Sequence, residues 1–248
     1  MFRSAPARRP HALPLRPPRA GGRGGAGQVT RPLRLAHRGD WRRARENSLA
    51  ALVAGAQAAA SDGVEFDVRL SSDGLPVIIH DPDLARVQAI DARVEALTAA
   101  ELERHGVPSL AAVLATLPRS AFLDIELKVP VERETIEVLA GGRGPDLHRA
   151  VISSFDASAL EGLAHLAPSW PRWLNVTLLD GEAIALADRL GCRGISAEWH
   201  GIRAATVRQV GQAGLELAAW TVRRRPTFER LAHLGVAAVC VEAAALDG

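Results

Sequence analysis

Gly63 to Asp81 reads G-V-E-F-D-V-R-L-S-S-D-G-L-P-V-I-I-H-D: an alternating strand, a Ser-Asp-Gly turn, and a second apolar strand ending in His-Asp. Residues two apart on a strand point the same way, so Glu65 and Asp67 share a face while Val64, Phe66 and Val68 take the other. Paired as a hairpin through 71–75, the two runs return His80 almost opposite Asp67. Two carboxylates and an imidazole then converge within about one strand spacing, roughly 5 Å. Such a cluster needs hydrogen-bonding partners or a metal. Carboxylates suit a hard cation, and an imidazole suits proton transfer near neutral pH.

A second constellation lies at 121–128, A-F-L-D-I-E-L-K, where Asp124, Glu126 and Lys128 share one face and Leu123, Ile125 and Leu127 the other. Two further strand ends carry functional side chains, Ala36-His37-Arg38-Gly39 and Ala219-Trp220-Thr221. Lys128 is the only lysine in the chain, against 29 arginines. A compact ammonium here fits a point-charge phosphate contact that the bulkier guanidinium would not reproduce.

The elements that must position these residues follow a strand–helix rhythm from Arg34 onward. Alternation and turn signals predict strands at 34–37, 63–70, 76–80, 121–128, 150–155, 172–177, 194–199, 215–222 and 236–242. Helical spacing predicts helices at 48–60, 109–117, 131–140, 157–165, 181–190, 203–213 and 226–234. The short gap between 70 and 76 allows a hairpin but no parallel crossover, which needs a dozen or more residues. The 76–80 strand is therefore the return arm of an excursion, and residues 71–108 form a small insertion. Eight strands and seven helical crossovers remain, the count of an α/β (β/α)₈ TIM barrel with a missing or rudimentary last helix. Barrel strands have no solvated face. Three inward carboxylates therefore repel one another unless protonated or neutralised by a cation.

Composition narrows the function classes. At 248 residues and 48% hydrophobic, the chain can bury the core of one barrel. Residues 1–34 hold eight arginines and no acid, leaving 22 basic and 28 acidic residues in the rest, a formal charge of −6. A body of that charge is no general nucleic-acid surface. Residues 1–33 are rich in Arg, Pro and Gly and are expected to be a disordered basic tail preceding a domain at 34–248. Cys192 and Cys240 have no paired spacing and read as buried free thiols. No apolar run reaches the ~18 residues of a membrane span. With no secretory signal recognisable, the expected location is the cytoplasm.

Taken together, H-R-G at 37–39, R-E-N-S-L at 45–49, V-E-F-D-V at 64–68, S-D-G-L-P-V-I-I-H-D at 72–81 and I-E-L-K at 125–128 resemble the glycerophosphodiester phosphodiesterase family, with further agreement in I-S-S-F at 152–155 and A-W-T-V at 219–222. The resemblance spans roughly 34–242. It implies a TIM barrel with an insertion after the second strand. It also implies hydrolysis of small glycerophosphodiesters to an alcohol and glycerol 3-phosphate, with one divalent metal, Mg²⁺ or Ca²⁺. Carried over to this sequence, His37 and His80 match the catalytic histidines, and Glu65, Asp67 and Glu126 the metal ligands. Arg38 and Lys128 match the phosphate contacts and Trp220 the wall of the pocket.

Four positions depart from the family pattern. Arg223 follows W-T-V in place of Asn and reads as solvated surface charge. Val241-Glu242 replaces Thr-Asp, Val87-Gln88 follows Arg86 in place of two threonines, and Asp124 replaces Asn. They are expected at the pocket rim and behind the ligands. Two other readings remain open. One is a phospholipase D-type barrel enzyme acting on lysophospholipids, which needs an apolar approach for acyl chains. The other is a non-catalytic relative that binds phosphorylated ligands.

Overall fold

A computed structural model describes residues 31–248. The expected N-terminal tail falls outside the described residues except at 31–33, where Leu33 already opens the first strand and Arg31 pairs with Asp62. Among the described residues, the strands are β1 (Leu33–His37), β2 (Gly63–Leu70), β3 (Pro76–Ile78), β4 (Phe122–Leu127), β5 (Ala150–Ser154), β6 (Arg172–Val176), β7 (Gly194–Glu198), β8 (Glu216–Val222) and β9 (Ala238–Val241). All but β3 pair in parallel, in the order β1-β9-β8-β7-β6-β5-β4-β2, and β2 pairs back onto β1. The barrel is closed. Each of its seven connections carries a helix, and after β9 the chain makes only a 3₁₀ turn, Ala243–Ala245. No helix among the described residues is long and apolar enough to cross a membrane.

The extra strand is the hairpin arm. β3 runs antiparallel to β2 with Val68 opposite Ile78, and it is shorter than the 76–80 read from the sequence. One more bond, Ile79 N–H to Asp67 O at 3.0 Å, carries the pairing to the turn before Asp81-Pro82. His80 therefore stands just beyond the strand rather than in it. The turn is fixed by Ser71, whose hydroxyl accepts from Leu75 N (3.0 Å) and donates to Asp73 (2.6 Å). Residues 71–108 add short helices and a small apolar cluster of their own, including Val77, Ile79, Leu84 and Leu102.

Strand alternation sorts the core. Val64, Phe66 and Val68 on β2 point outward and are buried under the helices. Inward-facing Leu35, Val151, Trp173, Ala218, Ala238 and Cys240 fill the barrel's lower interior, with Phe122 stacked on Trp173. One step up, the inward residues of six strands are polar: His37, Glu65, Asp124, Ser153, Asn175 and Ser196. An apolar plug thus supports a polar layer at the carboxyl ends of the strands.

Gly39 shows how tightly the first turn is built. Its φ is +82°, and a Cβ there would lie 2.4 Å from the carbonyl carbon and oxygen of Ala51 in the helix Leu49–Gln57. Gly39→Ala is expected to destabilise the protein by at least about 2 kcal/mol in denaturant unfolding, because backbone atoms cannot move aside as a side chain would.

Candidate active site

β1 delivers two residues. After His37 the chain turns sharply, with Arg38 at φ +56°, and Arg38 N–H donates both to the Glu65 carbonyl (2.9 Å) and to Glu65 Oε2 (3.0 Å). A left-handed arginine next to a glycine is strained backbone held by its surroundings. The turn sends the Arg38 guanidinium to Glu46 Oε1 at 2.8 Å and to within 3.3 Å of Asp67 Oδ2.

The R-E-N-S run after this turn now has physical roles. Glu46 holds Arg38 and Arg86. Asn47 donates to Asp67 Oδ2 at 2.7 Å and accepts from the Asp67 N–H at 3.3 Å. Ser48 caps the helix Leu49–Gln57 by accepting from Ala51 N–H.

Both histidines are anchored through Nδ1 by a carboxylate. His37 Nδ1 bonds Glu242 Oε1 at 2.6 Å, and its Nε2 lies 3.8 Å from Glu65 Oε2. Burial pushes Glu242 upward, but its bonds to His37 and to Arg223 Nε (2.7 Å) outweigh that and keep it below the ordinary carboxylate range. It is ionised, so His37 carries its proton on Nδ1 and turns Nε2 to the pocket. His80 Nδ1 bonds Asp81 Oδ1 at 2.7 Å, and its carbonyl accepts from Arg69 Nε at 2.8 Å. Burial lowers the His80 pKa against the opposing pull of Asp67 and Asp81.

Glu65, Asp67 and Glu126 bring ligand atoms to within 4.8 Å of one another. Lys128 pairs with Asp67 Oδ1 at 3.1 Å and with Glu126. Burial, then the like charges of Asp67, Glu126 and Asp124, pushes Glu65 well up. Burial and Asp67 push Glu126 up to about 7, and burial brings Asp124 to about 7. Asp67 is the exception, since Lys128 and Arg38 outweigh its burial and hold it low. Glu65 Oε1 is buried with no hydrogen-bond partner. An orphaned carboxylate oxygen among like charges is what a divalent cation would satisfy, so this trio fits a metal.

The raised carboxyls have a consequence for stability. Their folded-state values lie above the unfolded ones, so the folded protein binds more protons and loses stability as these groups ionise. Metal-stripped protein should therefore melt lower at about pH 8 than at about pH 5.5, and divalent cation added at the higher pH should reverse the loss.

These groups surround a cavity of about 190 Å³. Opposite the charges, Trp220 stands with its Nε1–H on the Ser196 carbonyl at 3.0 Å and meets Phe155 edge-on, centroids 5.4 Å apart. All eight residues expected from the sequence gather here: His37, Arg38, Glu65, His80, Glu126, Lys128 and Trp220 line the cavity, and Asp67 lies against Lys128.

Sequence reasoning missed what holds them. Glu242, expected behind the site, bonds His37 directly, and Arg223, read as solvated charge, is exposed yet paired with Glu242. Arg86 bridges Glu46 and Asp81 and so ties the insertion to the β1 turn. The signal for Glu242 was its inward parity two residues after Cys240. Arg86→Gln should lower kcat about ten- to a hundredfold by freeing His80, with little change in melting temperature, because an exposed ion pair contributes little to stability. Arg86→Lys should recover part of the loss.

The fold is a closed parallel barrel with its polar layer at the carboxyl ends of the strands. The Glycerophosphoryl diester phosphodiesterase family profile matches residues 37–246, and the chain belongs to that family. A glycerophosphodiester phosphodiesterase of Caldanaerobacter subterraneus is 27% identical over 222 residues, 82% of this chain and 90% of its relative. A solved Oleispira antarctica phosphodiesterase, in complex with the product sn-glycerol-3-phosphate, is 28% identical with a TM-score of 0.74, covering 85% of this chain and 93% of its own. The fold is shared with a glycerophosphodiester phosphodiesterase of Agrobacterium tumefaciens at a TM-score of 0.77 and 23% identity, over 87% and 98% of the two chains.

Proposed function

We propose that the chain hydrolyses glycerophosphodiesters to an alcohol and glycerol 3-phosphate, with a divalent cation on Glu65, Asp67 and Glu126 and with His37 and His80 as the general acid–base pair. The observation that carries this reading is the unpartnered Glu65 oxygen in a buried carboxylate trio that faces two carboxylate-anchored imidazoles. The product held by the Oleispira antarctica relative supports the same substrate class.

When bound, Mg²⁺ or Ca²⁺ supplies Lewis-acid polarisation of a phosphoryl oxygen. Arg38 and Lys128 bind the phosphate and balance the charge growing on its other oxygens. Because Nδ1 of each histidine is engaged, Nε2 is the working atom in both. One takes a proton from the nucleophile, and the other gives one to the departing alcohol. Trp220, fixed by Ser196, packs against the carbon skeleton of the substrate. Glu242 and Asp81 stabilise each imidazole when it is protonated.

The test is release of glycerol 3-phosphate from glycerophosphocholine and glycerophosphoethanolamine with Mg²⁺, Ca²⁺ or Mn²⁺ present. Turnover of either supports the reading. Failure on both, with choline released from lysophosphatidylcholine instead, replaces it with the lysophospholipid enzyme.

A further inference from the structure

The inner face of β6 holds a polar group that the reaction above does not use. Asn175 lies two residues after Trp173 and so points into the barrel, above the apolar plug. It is 6% exposed and lines the cavity, and its Oδ1 is buried without a hydrogen-bond partner. A buried amide in this state is costly unless something in the cavity completes it.

Two nearby donors are already spent: Ser153 Oγ–H on Asp124 at 2.6 Å and Trp220 Nε1–H on the Ser196 carbonyl at 3.0 Å. Asn175 sits beside Ser196 in the β6–β7 register, and both side chains border the same space. The closed strand order places β6 four strands from β1 by either route, so Asn175 faces His37 across the barrel. The phosphate-binding, proton-transferring and cation-holding groups come from β1, β2, β4 and the insertion. The rest of a bound ester must therefore extend toward β6, β7 and β8. There it meets Trp220, with Phe155 edge-on to it from the end of β5, which suit a C–H skeleton, and the Asn175 amide, whose free oxygen calls for an O–H donor.

We propose that Asn175 is a specificity-determining residue: its amide, with Ser196 beside it, reads a free hydroxyl on the glycerol moiety of the substrate. This rests on the function proposed above. A simple alkyl phosphate would leave Asn175 unpaired and be rejected for that reason.

Calorimetric titration in the presence of Mg²⁺ tests this without depending on turnover. The two ligands are sn-glycerol 3-phosphate and n-propyl phosphate, which match in carbon count and phosphate and differ only in hydroxyls. Wild-type protein should bind glycerol 3-phosphate more tightly. Asn175→Leu, of the same branched shape, should weaken glycerol 3-phosphate about tenfold or more and leave propyl phosphate within about twofold. Retained propyl phosphate binding also reports an intact fold. Asn175→Ala should give the same pattern and decides the matter if the leucine variant does not fold.

Equal weakening of both ligands would assign Asn175 a structural role, and no weakening of either would assign it to a bound water. Either result overturns the proposal. If the wild-type protein discriminates as expected but releases no glycerol 3-phosphate from its diesters, the fault lies with the proposed reaction and not with Asn175.

Discussion

Replacing either histidine by alanine should lower kcat by about 10²- to 10⁴-fold, the range that a positioned general acid or base contributes. Neither change should unfold the protein. His37 and His80 each meet the cavity, and each is bonded to a carboxylate that keeps a second partner, Arg223 for Glu242 and Arg86 for Asp81. Losing an imidazole therefore leaves no unpaired charge. Because the two residues act at opposite ends of one displacement, one on the nucleophile and one on the leaving alcohol, the double variant should be scarcely slower than either single one. An active His80→Ala variant would remove the insertion from the mechanism, since His80 is its contribution to the proposed acid–base pair.

Glu65→Gln should have two effects of opposite sign. It removes a ligand from the trio, and affinity for Mg²⁺ or Ca²⁺ should fall by more than about a hundredfold, since outer-shell changes alone cost 10- to 100-fold. In the metal-free protein, however, Glu65 is a carboxyl that burial and three acidic neighbours push well up. A neutral amide of the same shape relieves that repulsion, so the metal-free variant should melt higher than metal-free wild type at about pH 8. Asp67→Asn makes the contrast. Asp67 is held low by Lys128 and Arg38. Its loss takes one carboxylate partner from each of two half-buried cations, which keep only Glu46 and Glu126, and should destabilise the metal-free protein. Thermal melts with and without EDTA separate the two cases.

Much of the site was legible because local rules govern it. Alternation on β2 and β4 put Glu65, Asp67, Glu126 and Lys128 on one face, and the short gap before Pro76 ruled out a ninth barrel strand. What stayed hidden depends on closure. His37 and Glu242 are 205 positions apart and meet only because β9 returns beside β1. Arg86 reaches Glu46 across 40 positions, by way of an insertion whose path no periodicity predicts. In sequence, Asn175 is one polar residue in the run W-L-N-V. Only the closed barrel shows that its amide lies across from His37 with the oxygen unbonded.

The same closure explains why the departures from the family pattern do not read as losses. Glu242 keeps a carboxylate where the pattern has Asp and takes up His37 directly, and Arg223 pairs with its other oxygen. Asp124 adds an acidic group beside the trio, yet burial pushes it up to about 7 and Ser153 bonds it. Its ionisation at neutral pH is only partial, which limits the charge it adds to the cluster.

Turnover of glycerophosphocholine in EDTA, followed by stepwise return of Mg²⁺ or Ca²⁺, bears most directly on the carboxylate trio and the two histidines as one catalytic unit. The expected result is no glycerol 3-phosphate in EDTA and full recovery as one cation binds per chain, with Glu65→Gln recovering only at far higher cation concentration. Turnover that persists unchanged in EDTA, or recovers equally well in Glu65→Gln, would contradict it.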